Sequence, residues 1–265
     1  MEKIKFSGLG IEFEINKIAL NIFEIKIYWY AIFIIVAFLL GILLCKKDNG
    51  KYNIKYENVL ELFCFLIPIS IICARIYYLL FRLDYYIQKP LEIVNIRDGG
   101  LAIYGGIIGA IITIYAYCKI KKIKVLNMLD YIAPYLPLGQ TIGRWGNFFN
   151  IEAYGIETSN IFRMGIIENG VYREVHPVFF YESICCFIIF LILYLKKNKR
   201  DYEGQLTYMY LFLYGFTRML LEGIRTDSLM LGNIRISQLV SAILFVVFGI
   251  ILIIKHRKKL YREKK

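Results

Sequence analysis

NVLELFCFLIPISIICARIYYLLF, residues 58–81, is the stretch on which the fold turns. It exceeds the roughly 20 residues that cross a hydrocarbon core, and it carries Glu61 near its start and Arg75 near its end. Such a run predicts a transmembrane helix. Six further runs of the same kind lie near 28–45, 99–118, 128–150, 177–195, 204–222 and 236–254. Composition agrees, with 58% hydrophobic residues, whereas a soluble domain holds about 45–50%. Seven helices use roughly 140 of the 265 residues and leave only short connections, which excludes a large soluble domain. The expected fold is therefore an all-α polytopic membrane protein, one domain over residues 1–265. It has seven transmembrane helices, an extracytoplasmic interfacial segment at 1–27, a small extracytoplasmic head at 151–176 and a cytoplasmic basic tail at 255–265.

The net charge of +12 is spread over short loops, so it is a topology signal and not a nucleic-acid footprint. Lys and Arg number 19 in alternate segments 46–57, 119–127, 196–203 and 255–265, against 11 in 1–27, 82–98, 151–176 and 223–235. The positive-inside rule places the amino terminus outside and the carboxyl terminus in the cytoplasm. Residues 1–27 lack the charged, apolar, small-residue order of a signal peptide, so the first span is expected to be an uncleaved anchor. Alternation in IEFEINKIAL (11–20) and NIFEIKIYWY (21–30) suggests short amphipathic strands or an interfacial segment. Turn signals ETSN and ENG mark the 151–176 connection.

Two histidines make a His-built metal site improbable, and there is no phosphate-binding glycine loop. The six cysteines fall in or beside apolar runs and are expected as small core residues. No metal or cofactor is implied.

The informative residues are polar groups inside apolar runs, since charge at membrane depth is costly and marks a cavity or a partner. Gln140, Arg144 and Asn147 share one helical face, with Glu152 just beyond. Tyr214, Arg218, Glu222 and Arg225 form a second stripe, in which Arg218 and Glu222 could also serve simply to neutralise each other. Under the deduced topology Arg75, Arg144 and Arg218 lie near the outer face, as do Tyr30, Tyr104 and His176. Only Asp130 and Glu61 stand out in the inner half, which argues against an ion path or a transporter with midplane polar groups. Guanidinium forks match phosphate and stay charged when partly buried, so an anionic phospholipid headgroup is the expected ligand. Gly105-x-x-x-Gly109 allows close approach of a helix or a lipid chain, and Pro134 and Pro137 should bend the fourth helix.

At these residues the chain resembles a known family. GRWGNFFNIEAYG (143–155) is similar to the signature of bacterial prolipoprotein diacylglyceryl transferases. The likeness extends to WY (29–30), ARIYYLLF (74–81), DGGLAIYGGIIGA (98–110), HPVFFYES (176–183) and YGFTRMLLEGIRTD (214–227), which covers nearly the whole chain in order. It implies a seven-helix inner-membrane enzyme that moves the diacylglyceryl group of phosphatidylglycerol to the lipobox cysteine of a preprolipoprotein, releasing glycerol 1-phosphate. By that resemblance Arg144 binds phosphatidylglycerol and Arg218 is a second essential cation. Asn147 and Gly155 shape the headgroup pocket, Tyr30 lines it, and Glu152 and Glu222 orient arginines or take a proton. Tyr214, Arg225 and Arg75 complete the expected binding set.

One position departs from the family pattern. Many members carry histidine in the third-helix glycine motif, and this chain has Tyr104. A phenol is a weak base at neutral pH, so Tyr104 is expected to donate a hydrogen bond. Thiolate formation then falls to Glu152 or to the field of the arginines. His176, before Pro177, is expected to be a structural hydrogen-bonder, and His256 has no role.

Overall fold

A computed structural model describes residues 2–23, 25–96 and 99–263. Glu24, Asp98 of the glycine-rich stretch, and Lys264 and Lys265 of the basic tail lie outside the described residues. The chain divides into two compact units, residues 1–44 with 132–265, and residues 45–131.

In the first unit, β1 (Glu2–Phe6) and β2 (Ile11–Ile15) pair as a hairpin, and β3 (Ile18–Ile22) with β4 (Ile25–Tyr28) makes another. The second hairpin runs directly into α1 (Trp29–Lys46). The strand alternation of the amino-terminal segment is thus realised. α1 is the first of the apolar helices. α2 (Tyr56–Leu80), α3 (Leu83–Gln88) and α4 (Ile103–Ile120) belong to the second unit, as does most of α5 (Val125–Ile132). A 3-10 turn over Ala133–Tyr135 then leads to α6 (Leu136–Asn150). The break falls at Pro134 and Pro137, because proline removes a backbone donor and crowds the preceding turn.

The 151–176 connection folds into β5 (Met164–Glu168) and β6 (Val171–Val175). Asn169 and Gly170 both take positive φ, 51° and 79°, as a two-residue hairpin turn demands. The head is not built from this segment alone. β1 pairs antiparallel with β5, Lys5 opposite Gly165, giving a four-stranded sheet in the order β2-β1-β5-β6. One face of it buries Ile4, Ile15, Met164, Ile166 and Val175 against Phe148 of α6 and Phe179, near the start of the next helix. Each fully buried aliphatic side chain contributes about 1.5–3 kcal/mol, so the sheet is firmly seated on those two helices. The all-α expectation is corrected here, since the head is a β-sheet.

α7 (Val178–Lys196), α8 (Gln205–Glu222), the short hairpin β7 (Met230–Leu231) with β8 (Ile234–Arg235), and α9 (Ile236–Glu263) complete the first unit. α7 packs on α6 and α8, and α8 on α9. The last helix continues well into the basic tail. Five helices, α1, α2, α4, α7 and α9, are long and apolar enough to cross a membrane. The remaining two expected spans are different in kind: α6 is short and follows a break, and α8 carries Gln205, Arg218 and Glu222 together with three tyrosines and two threonines.

Within the second unit α2 and α4 pack closely. A Cβ at Gly105 would strike Tyr77 and Cys73, and one at Gly109 would meet the Cys73 Cβ at 2.8 Å. The Gly105-x-x-x-Gly109 pair therefore serves helix packing. Of the cysteines, Cys45, Cys118 and Cys186 are buried as expected, whereas Cys64 is exposed on α2 and is no core residue.

Candidate active site

The sequence places Arg144 three residues before Asn147 on α6, and the guanidinium does donate to Asn147 Oδ1 at 3.2 Å. Its stronger partner comes from another helix. Arg144 donates to Glu182 Oε1 on α7 at 2.6 Å, and Arg218 on α8 donates to Glu182 Oε2 at 2.8 Å. The Tyr214 hydroxyl adds a third bond to Oε1 at 3.2 Å. Glu182 is fully buried, while the Arg144 and Arg218 side chains keep 21% and 15% exposure. One carboxylate thus holds two guanidiniums side by side, each with an edge open to the surroundings.

The cluster extends in both directions. Arg218 also pairs with Glu222 at 2.6 Å, one helical turn on, as the spacing predicts. Arg225 lies 3.9 Å from Glu222 and grips Asp227 with both Nε and Nη2, at 2.9 and 2.6 Å. Burial works to raise the Asp227 pKa, but the bonds and charge of Arg225 outweigh it and hold the carboxyl below its ordinary range. On the other side, Asn147 donates to Glu152 Oε1 at 2.8 Å, as does Asn150 at 3.2 Å. Ile151, in the left-handed region at φ 53°, ends α6 and turns the exposed Glu152 back towards these amides. The result is a continuous chain, Arg225–Glu222–Arg218–Glu182–Arg144–Asn147–Glu152.

Backbone pairing sets the level of these helix ends. Gly155 forms an antiparallel bridge with Arg225, Ile156 N–H donates to Ile224 O at 2.9 Å, and Gly155 N–H donates to His176 O at 2.9 Å. A Cβ at Gly155 would meet Ile224 O at 2.8 Å and His176 Cβ at 2.9 Å. Gly155 is there for close backbone approach, tying the segment after α6 to the segment after α8 and to the entry of α7.

His176 Nδ1 lies 3.3 Å from the Tyr181 hydroxyl, and burial lowers its pKa, so the neutral ring is a hydrogen-bonder as expected. Tyr30, in the first turn of α1, packs its ring on Gly146, where no Cβ would fit. Trp29 stacks on Phe149 with ring centroids 5.0 Å apart. Gln140 is 3.8 Å from Cys186 Sγ, deeper along α6.

A match to the prolipoprotein diacylglyceryl transferase family model covers residues 17–255. The chain belongs to this family. Its relatives include phosphatidylglycerol–prolipoprotein diacylglyceryl transferases of Finegoldia magna, 47% identical over 94% of this chain and 98% of the relative, and of Clostridium novyi, 43% identical over 92% and 97%. The corresponding protein of Clostridioides difficile is 46% identical over 89% and 93%.

In this family member the expected site residues fall into two groups. Arg144, Arg218, Tyr214, Glu222, Arg225, Asn147, Glu152, Gly155 and Tyr30 all belong to the first unit, and the first seven are joined by the bonds above. Arg75 and Tyr104 belong to the second. Tyr104 is half-buried in the first turn of α4. Arg75 spends its guanidinium on backbone carbonyls of Ile93, Gly99, Gly100 and Glu92.

Glu182 was not singled out by sequence reasoning. The signal was available, since it is the one acidic residue in the apolar run 178–196, and an ionisable group at such a position is a functional candidate by default.

Proposed function

We propose that this protein transfers the diacylglyceryl group of phosphatidylglycerol to the lipobox cysteine thiol of a preprolipoprotein. The thiol sulfur bonds to the glycerol carbon that bears the phosphate, that C–O bond breaks, and glycerol 1-phosphate leaves. The thiol proton passes to a base. Family membership supports the reaction, and the observation that carries its assignment to residues is the Arg144–Glu182–Arg218 bridge.

Negative charge collects on the departing phosphate ester, and preset cations aimed at it stabilise the transition state, at about 3–4 kcal/mol for a well-placed donor. Glu182 fixes the spacing of the two guanidiniums, so neither must reorganise when the phosphodiester arrives. Glu222 and Arg225 brace Arg218, and Tyr214 braces Glu182. Asn147 couples Arg144 to Glu152. Of the three glutamates, Glu182 and Glu222 are buried and committed to arginines, whereas Glu152 is exposed; it is the carboxylate suited to accept the thiol proton. Tyr30 lines the lipid side, Gly155 holds the frame, and Tyr104 donates a hydrogen bond.

The same reading sets seven spans in the cytoplasmic membrane, the head and amino terminus outside and the basic tail inside, following the distribution of Lys and Arg. α6 and α8 complete the set, their polar faces turned to the site and not to lipid.

The test is purified protein with glycerol- and acyl-labelled phosphatidylglycerol and a lipobox peptide. Acyl label moves to the peptide, glycerol label appears as glycerol phosphate, and Cys→Ser in the peptide or Arg144→Ala in the protein abolishes both. Folded protein that leaves all label in lipid overturns the proposal.

A further inference from the structure

Glu152 stands between two strained residues. Ile151 and Ala153 both take left-handed backbone angles, at φ 53° and 58°. Non-glycine residues enter that region at a cost, and a β-branched one at a larger cost. Such a turn persists only where its surroundings over-determine it. The end of α6 fixes its start, because the N–H groups of Ile151 and Glu152 close back on Phe148 O and Asn147 O, both at 3.1 Å. The residue after the turn fixes its end.

That residue is Tyr154, and it is held at three points. Its ring packs on the apolar core of the head, as Ile151 does. Its hydroxyl donates to Glu168 Oε1, at the end of β5, at 2.5 Å. Its carbonyl accepts from Thr226, from the backbone N–H at 3.4 Å and from Oγ1 at 3.2 Å. Thr226 lies between Arg225 and Asp227, the ion pair that ends the α8 stripe. Arg173 of β6 steadies Glu168 from its other oxygen at 3.5 Å. The bond to Glu168, helped by burial, pushes the Tyr154 pKa up to about 12, so the phenol donates throughout the neutral range. The hydroxyl is spent on the sheet and has no part in the chain from Arg225 to Glu152.

We propose that Tyr154 is a positioning residue for transfer. Through its bonds to Glu168 and Thr226 it locks the turn 151–153, and so keeps the Glu152 carboxylate against Asn147 and Asn150, where it accepts the thiol proton. Without the lock, Ile151 and Ala153 relax to negative φ, which rotates the carboxylate away from the two amides. The inference rests on the reading of Glu152 as the base.

The experiment starts from Tyr154→Phe, which removes the hydroxyl and leaves the ring in the core; a melting curve confirms folding. With labelled phosphatidylglycerol and a lipobox peptide, kcat is expected to fall about tenfold while KM for the lipid stays within about twofold, because the lost bond acts on the base and not on the arginines. Glu168→Ala should do the same, and Glu168→Gln, which keeps the acceptor oxygen, should restore transfer. In the Glu152→Gln background Tyr154→Phe should cost nothing further, because the lock works only through that carboxylate. Hydrogen exchange at the amides of 151–155 should rise in Tyr154→Phe and not in Glu168→Gln.

Equal losses with and without Glu152 make Tyr154 merely structural, and a rise in KM with kcat unchanged places it at the lipid. Either result overturns the proposal, as does unchanged exchange at 151–155. Wild-type protein that transfers no label overturns the transferase reading instead, and the exchange comparison still decides whether Tyr154 locks the turn.

Discussion

Replacing Glu182 by Gln tests whether one buried carboxylate organises the site. The side chain keeps its shape, but only one acceptor oxygen remains where two were, at 2.6 Å from Arg144 and 2.8 Å from Arg218. The new amide donates, so whichever guanidinium faces it meets N–H against N–H. Breaking a buried ion pair costs about 3–5 kcal/mol, mostly because the remaining charge is stranded. Here Arg218 retains Glu222 at 2.6 Å, so Arg144 is the group displaced and the loss of stability falls near 3 kcal/mol.

The effect on catalysis is separable from that loss. A single misplaced transition-state donor costs about 2.7–4 kcal/mol, or a fall in kcat of about 10²–10³. With labelled phosphatidylglycerol and a lipobox peptide, Glu182→Gln should lose that factor at a temperature where its melting curve shows it fully folded. Glu182→Asp retains the charge but is one methylene short of spanning both arginines, so it should recover stability before it recovers rate. If Glu182→Gln stays folded and transfers within about threefold of wild type, the two guanidiniums do not need their common carboxylate, and the reasoning fails.

Other outcomes follow from the same geometry. Gly146→Ala puts a methyl group into the Tyr30 ring, and overpacking of this kind costs about 1–3 kcal/mol; an unchanged melting temperature would show that α1 does not seat on α6 through that ring. Tyr104→Phe should alter transfer rate by no more than a hydrogen bond is worth, about tenfold or less, with the pH profile unmoved; loss of the alkaline limb would instead make the phenol the base. Burial lowers the His176 pKa below its ordinary 6.5, so the unfolded chain binds protons first as pH falls. The stabilisation is complete above about pH 6.5 and fades as pH drops through the folded-state value, so wild type should lose more melting temperature on acidification than His176→Gln.

Five of the helices were legible because lipid requires long uninterrupted apolar runs, and little else in a sequence looks like one. Strands were legible too: IEFEI and NIF–EIKIY alternate as β-structure must. Their partner was not. Alternation specifies which face of β1 is buried, but not that Lys5 will sit opposite Gly165, far along the chain. That choice is made by shape and burial at Phe148 and Phe179, which no local pattern encodes.

The site shows the same division. Helical spacing was enough for Arg144 with Asn147 and for Arg218 with Glu222, because both pairs are local. Joining the two pairs requires Glu182, which lies 38 residues from Arg144 and 36 from Arg218, beyond the reach of helical spacing. Composition nevertheless points to the right place. α6 and α8 fall short of the apolar character that α7 and α9 possess, and these two helices carry the arginines. A helix can be that polar within a bilayer only if its neighbours shield it and its charges find each other. α7, which carries Glu182 and Ser183 near its start and is otherwise largely apolar up to Lys196 at its end, does both: it packs on α6 and on α8, and it supplies the carboxylate that neutralises the approach of two cations.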